Sequence, residues 1–312
     1  MNKDPENKDT PRPVTGRVSI IIPTYNYGNY LGDAVNSCLQ QTHPDVETIV
    51  IDDGSTDNTR SVCESFGDRI TYIYQQNSGV SAARNAGLNI VSGEYVTFLD
   101  SDDILTPGSV STRVDILIKD PTLSMAVGGI LSLEDYDPSS PAPSKPGQPY
   151  ITDRLYEDLL IGRYSGAGLL RSAPATRFRF PQNLTNGEDI AYFVKVSFGN
   201  KVYVMDEPVL IKRRHDGCLS RDFEKIMKQD MAIITTIMDD PYYGGKLDHL
   251  RKEFTSRRYL SLSRSMFNAG DDRNAVRYYL RAIKTKPGDI FKLSRFTKFI
   301  RACFRLAFSR SS

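Results

Sequence analysis

From Val18 onward the chain alternates short β-rich runs with helical stretches, and most of the runs end in a polar cluster. Such alternation predicts strand–helix–strand crossovers, which join parallel strands and place the chain in the α/β class. The runs are VSIII, closing at Pro23; VETIVI, leading into Asp52-Asp53-Gly54-Ser55; ITYIY; and EYVTFLD, which delivers Asp100 at its carboxyl end. Helices are predicted between them, over about 30–41, after Asp57, and over 78–90. Asp57 resembles an N-cap, since its carboxylate can accept from the first free N–H groups of the helix that follows. Open α/β sheets bind ligands outside the carboxyl ends of their strands, where loops converge and helix N-termini face anions. Residues 23–26, 52–55 and 100–103 fall along that one edge.

The rest of the chain is read more coarsely. A helix is expected from about 107 to 119, then the apolar stretch MAVGGILSL. Residues 137–149 carry five prolines in thirteen residues and predict a mobile loop dividing a first half (17–136) from a second (150–220). In the second half a helix begins near Glu188, and the runs KVYVMD and PVLIKRR form a β pair broken at Pro208. Residues 221–312 form a helical extension. Within it 254–287 has the spacing of a helical hairpin, with 268–271 as its turn and Pro287 as its stop. It resembles one tetratricopeptide-like unit, and a single unit is not a solenoid. Residues 1–16 are polar, lack an apolar signal core, and are expected to be a disordered leader.

Composition narrows the class. A chain of 312 residues suggests about two structural units. Forty basic residues against thirty-eight acidic ones give no global attraction to nucleic acid, and none is expected as a partner. The cysteines, Cys38, Cys63, Cys218 and Cys303, form no C-x-x-C pair, so neither a zinc knuckle nor a disulfide framework is indicated, and a cytoplasmic location is expected. No stretch reaches the ~20 apolar residues that span a bilayer.

The polar clusters carry the chemistry. Asp100-Ser101-Asp102-Asp103 crowds three carboxylates into four residues, which is unfavourable unless a cation or hydrogen-bond donors offset the repulsion. Hard oxygen ligands suit Mg²⁺ or Mn²⁺, which in turn would hold a diphosphate. A solvated acidic turn is the other reading of the same residues. Asp52-Asp53-Gly54-Ser55 equally suits an Asx-type turn, Pro23-Thr24-Tyr25-Asn26 a strand-ending turn, and Gly79 to Asn85 a helix start bearing a surface arginine.

Taken in order, VSIIIPTYNYGNYL, VIDDGSTDNT, NSGVSAARNAGL and GEYVTFLDSDD resemble the family 2 inverting glycosyltransferases of GT-A fold, densely from Val18 to about Leu105 and more loosely from 166 to 220. The resemblance implies a GT-A catalytic domain over 17–220, with a nucleotide half, a mostly parallel central sheet and an acceptor half. It implies a nucleoside diphosphate sugar donor, UDP-linked, and a divalent metal. By it, Pro23, Thr24 and Tyr25 line the nucleoside, Asp53 bonds the base, and Arg84, Asp100 and Ser101 touch the donor. Asp102 is the direct metal ligand. Asn186-Gly187-Glu188-Asp189 resembles the family's E-D motif and makes Asp189 the general base. Arg213-Arg214-His215 with Ser220 resembles its Y-R-x-H-x-x-S-x-S segment, in which His215 completes the metal shell; here Lys212 stands in place of the aromatic. The acceptor implied is a glycan or a lipid-linked saccharide in surface-glycan synthesis.

Two other classes compete. A dinucleotide-binding oxidoreductase should show G-x-G-x-x-G after its first strand, and the chain reads Pro-Thr-Tyr-Asn-Tyr-Gly there. A catalytically silent nucleotide-sugar-binding or scaffold protein would keep the pocket without the chemistry. Finally, residues 291–308 hold Lys292, Arg295, Lys298, Arg301 and Arg305 and no acid. At 100° per residue Leu293, Phe296, Ile300, Cys303, Phe304 and Ala307 share one face, the pattern of a basic amphipathic helix in peripheral contact with the cytoplasmic membrane face. Packing of its aromatic face on the protein is the alternative.

Overall fold

A computed structural model of the chain describes residues 13–133, 148–163, 166–184, 186–213, 231–288 and 293–308. The chain divides into two compact units. The first comprises 1–153, 165–180 and 196–214, and it holds a nine-stranded sheet in the order β3-β2-β1-β4-β8-β6-β9-β5, with β7 paired to β9. The strands are β1 (Val14–Thr24), β2 (Val46–Asp52), β3 (Thr71–Tyr74), β4 (Gly93–Phe98), β5 (Ile104–Leu105), β6 (Leu123–Ser132), β7 (Tyr150–Thr152), β8 (Ala167–Arg171) and β9 (Lys201–Lys212). The helices α1 (Gly28–Leu39), α2 (Thr59–Phe66), α3 (Val80–Leu88), α4 (Ser109–Lys119) and α6 (Ser172–Arg177) also belong to this unit.

The predicted crossovers are all present. β1 pairs in parallel with β2 and β4, and β2 with β3, with α1, α2 and α3 as the connections. Residues 18–24 of β1 are buried without alternation, as expected where helices cover both faces of a parallel sheet. Beyond β4 the sheet is mixed: β8 runs antiparallel to β4 and β6, while β9 is parallel to β6 and antiparallel to β5 and β7. The crossover signature covers only the first four strands, so the sequence pattern describes that half best.

Two local expectations change. β1 begins at Val14, inside the stretch read as leader, because the Val14 N–H bonds Ser92 O at 2.8 Å and the Gly16 N–H bonds Glu94 Oε2 at 2.9 Å. Pro208 does not end a strand: β9 runs through it, and the ladder to β6 shifts register between Gly129↔Pro208 and its neighbours. Proline cannot donate to a ladder, so the irregularity absorbs it. Gly128 provides the room, since a Cβ there would lie 2.4 Å from Val209 Cγ1. The proline-rich segment lies largely outside the described residues, which resume at 148.

The second unit comprises 154–164, 181–195 and 215–312. Its elements are α5 (Leu155–Leu160), most of α7 (Glu188–Ser197), α8 (Ala232–Met238), α9 (Arg251–Asn268), α10 (Asp272–Thr285) and α11 (Leu293–Phe308). The hairpin is α9 and α10. Gly270 turns it at φ 80°, and Asp271 caps α10 through a bond from the Asn274 N–H at 3.1 Å. Leu262, Met266, Ala275, Tyr278 and Ala302 form a core that also draws in α11.

Candidate active site

In the first unit, the loops after β1, β2 and β4 are fixed by side chains. Asn26 has a φ of 57°, a region that asparagine tolerates when its side chain bonds locally. Its carboxamide oxygen accepts from the N–H groups of Thr56 (2.8 Å) and Asp57 (3.3 Å), and its own N–H donates to Ser55 Oγ at 2.9 Å. The β1–α1 and β2–α2 loops are thereby joined. Asp57 completes the junction. Its Oδ1 accepts from the N–H and hydroxyl of Thr59 (2.9 and 2.6 Å), and its Oδ2 from the Gly28 N–H (3.0 Å). One carboxylate thus serves the first residues of both α2 and α1.

Burial acts to raise the Asp57 pKa, but the Thr59 and Gly28 bonds to the charged form prevail and hold it below the ordinary 3.8. A depressed carboxylate stabilises the fold above its unfolded pKa and loses that contribution as the pH falls through the folded value. Asp57→Ala is therefore expected to cost about 1 kcal/mol at neutral pH, as lost caps do. Urea unfolding of both proteins at pH 7 and near pH 3 measures this; the difference should shrink in acid.

Asp52 and Asp53 divide the labour at the end of β2. Asp52, fully buried, accepts from the Ser55 N–H and from the Tyr72 hydroxyl, both at 2.8 Å. Asp53 Oδ1 accepts from Gln75 Nε2 (2.7 Å) and the Ser78 N–H (2.9 Å), and its Oδ2 from the Gly79 N–H (2.7 Å). Asp53 therefore shapes the loop that leads into α3. Gly54 is required beside it: φ is 87°, and a Cβ would meet Asn77 N at 2.8 Å.

Pro23 and Thr24 are buried, with Thr24 Oγ1 lacking a hydrogen-bond partner among the described residues, whereas Tyr25 is 45% exposed. Arg84, on α3, is buried and turned toward the end of β4, where its Nη2 lies 2.8 Å from Asp100 Oδ1. Its guanidinium also sits 5.2 Å from the Phe180 ring. Phe180 is held in turn by a pair of bonds between its backbone and the Asn85 carboxamide, at 2.8 and 2.9 Å.

The turn after β4 gathers Asp100, Asp102 and Asp103 so that one carboxylate oxygen of each lies within 4.8 Å of the others. Ser101 is buried between them in sequence. Burial acts to raise the Asp100 pKa, but the charges of Arg84 and Lys212 prevail and lower it. Asp103 goes the other way, to about 7: burial is the largest cause, the charges of Asp100 and Asp102 add to it, and Lys212 and the Arg213 N–H oppose it. Such crowding is what a bound cation would relieve, and an all-oxygen set suits Mg²⁺ or Mn²⁺.

Sequence reading counted Asp103 among the three crowded carboxylates but named Asp102 as the direct metal ligand; the turn geometry sets an oxygen of Asp103 as close to the others as that of Asp102. Nor did it assign Lys212, set beside the cluster as the last residue of β9, or Gln75. In the second unit Asp189 is exposed in the first turn of α7, and its Oδ1 accepts from the Ile190 N–H at 2.7 Å. Its charge acts on Arg258 of α9, whose pKa burial lowers to about 10 against that attraction. Glu188 is buried. His215, Arg214 and Ser220 lie outside the described residues.

Residues 19–176 match the family described as Glycosyl transferase family 2. An uncharacterized glycosyltransferase of Rickettsia typhi is 36% identical over 208 residues, 64% of each chain. One from Rickettsia conorii is 37% identical over 206 residues, 63% of this chain and 34% of the relative. The glycosyltransferase GlyA of Streptococcus pneumoniae is 41% identical over 125 residues, 39% of this chain and 18% of the relative. Each match spans less than two thirds of the relative's own length. Among solved structures, the fold is similar to S. aureus TarS 1–349 (TM-score 0.55, 20% identity, 92% of this chain and 78% of that one). It is also similar to the mannosyltransferase PcManGT of Pyrobaculum calidifontis in complex with GDP-Man and Mn²⁺ (TM-score 0.58, 16% identity, 95% and 87%).

Proposed function

The chain belongs to glycosyl transferase family 2, and from that premise we propose that it is a metal-dependent, inverting enzyme moving a sugar from a nucleoside diphosphate to an acceptor hydroxyl. The observation that carries this is the gathering, at the carboxyl edge of the parallel half of the sheet, of Asp53 just after β2, of Arg84 from α3 paired to Asp100, and of the Asp100, Asp102 and Asp103 cluster after β4. A parallel sheet opens its ligand crevice at that edge.

In this proposal Pro23, Thr24 and Tyr25 line the nucleoside, which we take to be uridine. A carboxylate offers about four acceptor positions. Three on Asp53 are taken by Gln75, Ser78 and Gly79, so the fourth meets the base, while the same bonds hold the loop beneath it. Arg84, set against the Phe180 ring, keeps Asp100 charged, and Ser101 packs the turn. Asp102 and Asp103 would hold a Mn²⁺ or Mg²⁺ ion, and the family resemblance adds His215 to that set. Once bound, the ion would offset the negative charge of the diphosphate leaving group. Lys212 adds a fixed positive charge to the same edge. Asp189 accepts the proton of the acceptor hydroxyl, which frees the oxygen to attack the anomeric carbon from the face opposite the diphosphate, so the configuration inverts.

The acceptor in this proposal is a glycan or lipid-linked saccharide of the cell surface, met at the cytoplasmic membrane face. The test is a donor panel: thermal unfolding of the protein with each nucleoside diphosphate sugar, with and without Mn²⁺. A ligand at 100 times its Kd stabilises the folded state by about 2.7 kcal/mol. One donor should raise the midpoint only when Mn²⁺ is present. A panel in which no sugar nucleotide shifts it under either condition refutes the proposal.

A further inference from the structure

The charge of this chain is divided unevenly. Residues 251–308 hold fifteen lysines and arginines against four acids, although the whole chain is nearly balanced at 40 to 38. Three of those acids are accounted for locally. Glu253 pairs with Lys286 and Arg257, Asp271 caps α10, and Asp272 lies in the first turn of α10, where the helix dipole favours it. The segment therefore carries a net excess of eleven positive charges, 15 less 4, against which Asp239 and Asp248 from outside it meet Arg251 and Asp189 acts on Arg258.

α11 adds an apolar component. Its contact with the hairpin uses Phe299, whose ring stacks on Tyr279 at a centroid distance of 4.3 Å, and Ala302, which is fully buried. The face that sequence periodicity picks out lies about a quarter turn away. There Phe296 and Ile300, one turn apart, remain 38% and 36% exposed. Arg301 is exposed as well. The helix is thus anchored through one strip and presents to solvent a second apolar strip, with the exposed Arg301 next in sequence to Ile300.

We propose that this strip of α11, centred on Phe296 and Ile300, docks the protein on a bilayer containing anionic lipids. Cations draw the helix to the headgroups, and the two side chains enter the boundary between headgroup and acyl chain. The exposed apolar pair separates this partner from a soluble polyanion, which would need the charge alone. Docking rests on the proposed transferase function and deepens the location given for it, a surface that also holds lipid-linked saccharides.

The test is co-sedimentation of the full chain with vesicles of phosphatidylcholine, alone or with a one-third share of phosphatidylglycerol, at about 0.1 M and about 0.5 M salt. The double variant F296S/I300S and the variant Arg301→Glu are compared with the parent, and heparin serves as the soluble polyanion. Binding should need the anionic lipid, fall at high salt, and drop at least tenfold in F296S/I300S, while heparin binding of that variant stays unchanged. Arg301→Glu should lower both. Circular dichroism and donor-dependent thermal stabilisation of the same preparations should match the parent, so that a failure of docking is distinguishable from a failure of the transferase proposal. Negligible vesicle binding, equal binding to neutral vesicles, or undiminished binding by F296S/I300S would each overturn the inference.

Discussion

Replacing Asp102 with alanine is expected to weaken UDP binding in Mn²⁺ by about a hundredfold or more, because metal stabilisation of a diphosphate is worth several kcal/mol and each 1.4 kcal/mol is tenfold. The cluster around it explains the size of the effect. Asp100 is engaged by Arg84 at 2.8 Å, and Asp103 accepts from the Arg213 N–H at 3.1 Å. Asp102 completes the group, with a carboxylate oxygen within 4.8 Å of one from each of them, so its removal takes away one of three crowded oxygen donors. Isothermal titration of UDP against parent and variant, each with Mn²⁺ and with EDTA, measures this. The parent should lose affinity in EDTA, and the variant should bind equally weakly in both. Equal affinities of parent and variant in Mn²⁺ would remove Asp102 from the metal site and leave Asp103 as the first alternative.

Asp189→Asn should do the opposite: keep donor binding and lose transfer by about two to four orders of magnitude, the usual contribution of a positioned base. Amide replaces carboxylate at nearly equal size, so the first turn of α7 should persist, with the Ile190 N–H still able to find the amide oxygen. UDP titration gives the binding arm and initial rates with the identified donor and acceptor give the other. Near-normal turnover would move the base elsewhere, and Glu188, buried one residue earlier, would be tested next.

The part of the fold that could be read in advance is the part made of repeated local pattern. Apolar runs that end in polar clusters gave the positions of β1, β2 and β4, a helical stretch gave α1, and starts near Asp57 and Ser78 gave α2 and α3, because each unit is specified by residues close in sequence. The mixed far half was not legible. Its pairings join residues such as Thr97 and Leu169, far apart along the chain, and no short pattern encodes them. The α9–α10 hairpin was legible from Gly270, Asp271 and Pro287 for the same local reason.

The site shows the same division. The acidic turn after β4 and the Asp53 cluster could be located in the sequence, but not which oxygen each carboxylate commits to the protein. Asp57 was recognised as a cap for α2, whereas its bond to Gly28 of α1 depends on two loops meeting in space. Gln75 and Phe180 escaped notice, and Asn26 was read only as part of a strand-ending turn, because their roles exist only through partners distant in sequence. For α11, helical periodicity identified the apolar strip but not which strip packs, since Phe299 lies outside it and is chosen by the Tyr279 ring it meets.

The most direct measurement is release of nucleoside diphosphate from the donor that stabilises the protein, followed in Mn²⁺ and in EDTA with the parent enzyme and water or glycan as acceptor. A metal-dependent transferase should release nucleotide at least tenfold faster in Mn²⁺ and lose that rate in Asp102→Ala. Donor binding without any release would instead identify a silent binding protein, and release indifferent to EDTA would contradict a metal at the Asp100–Asp103 turn.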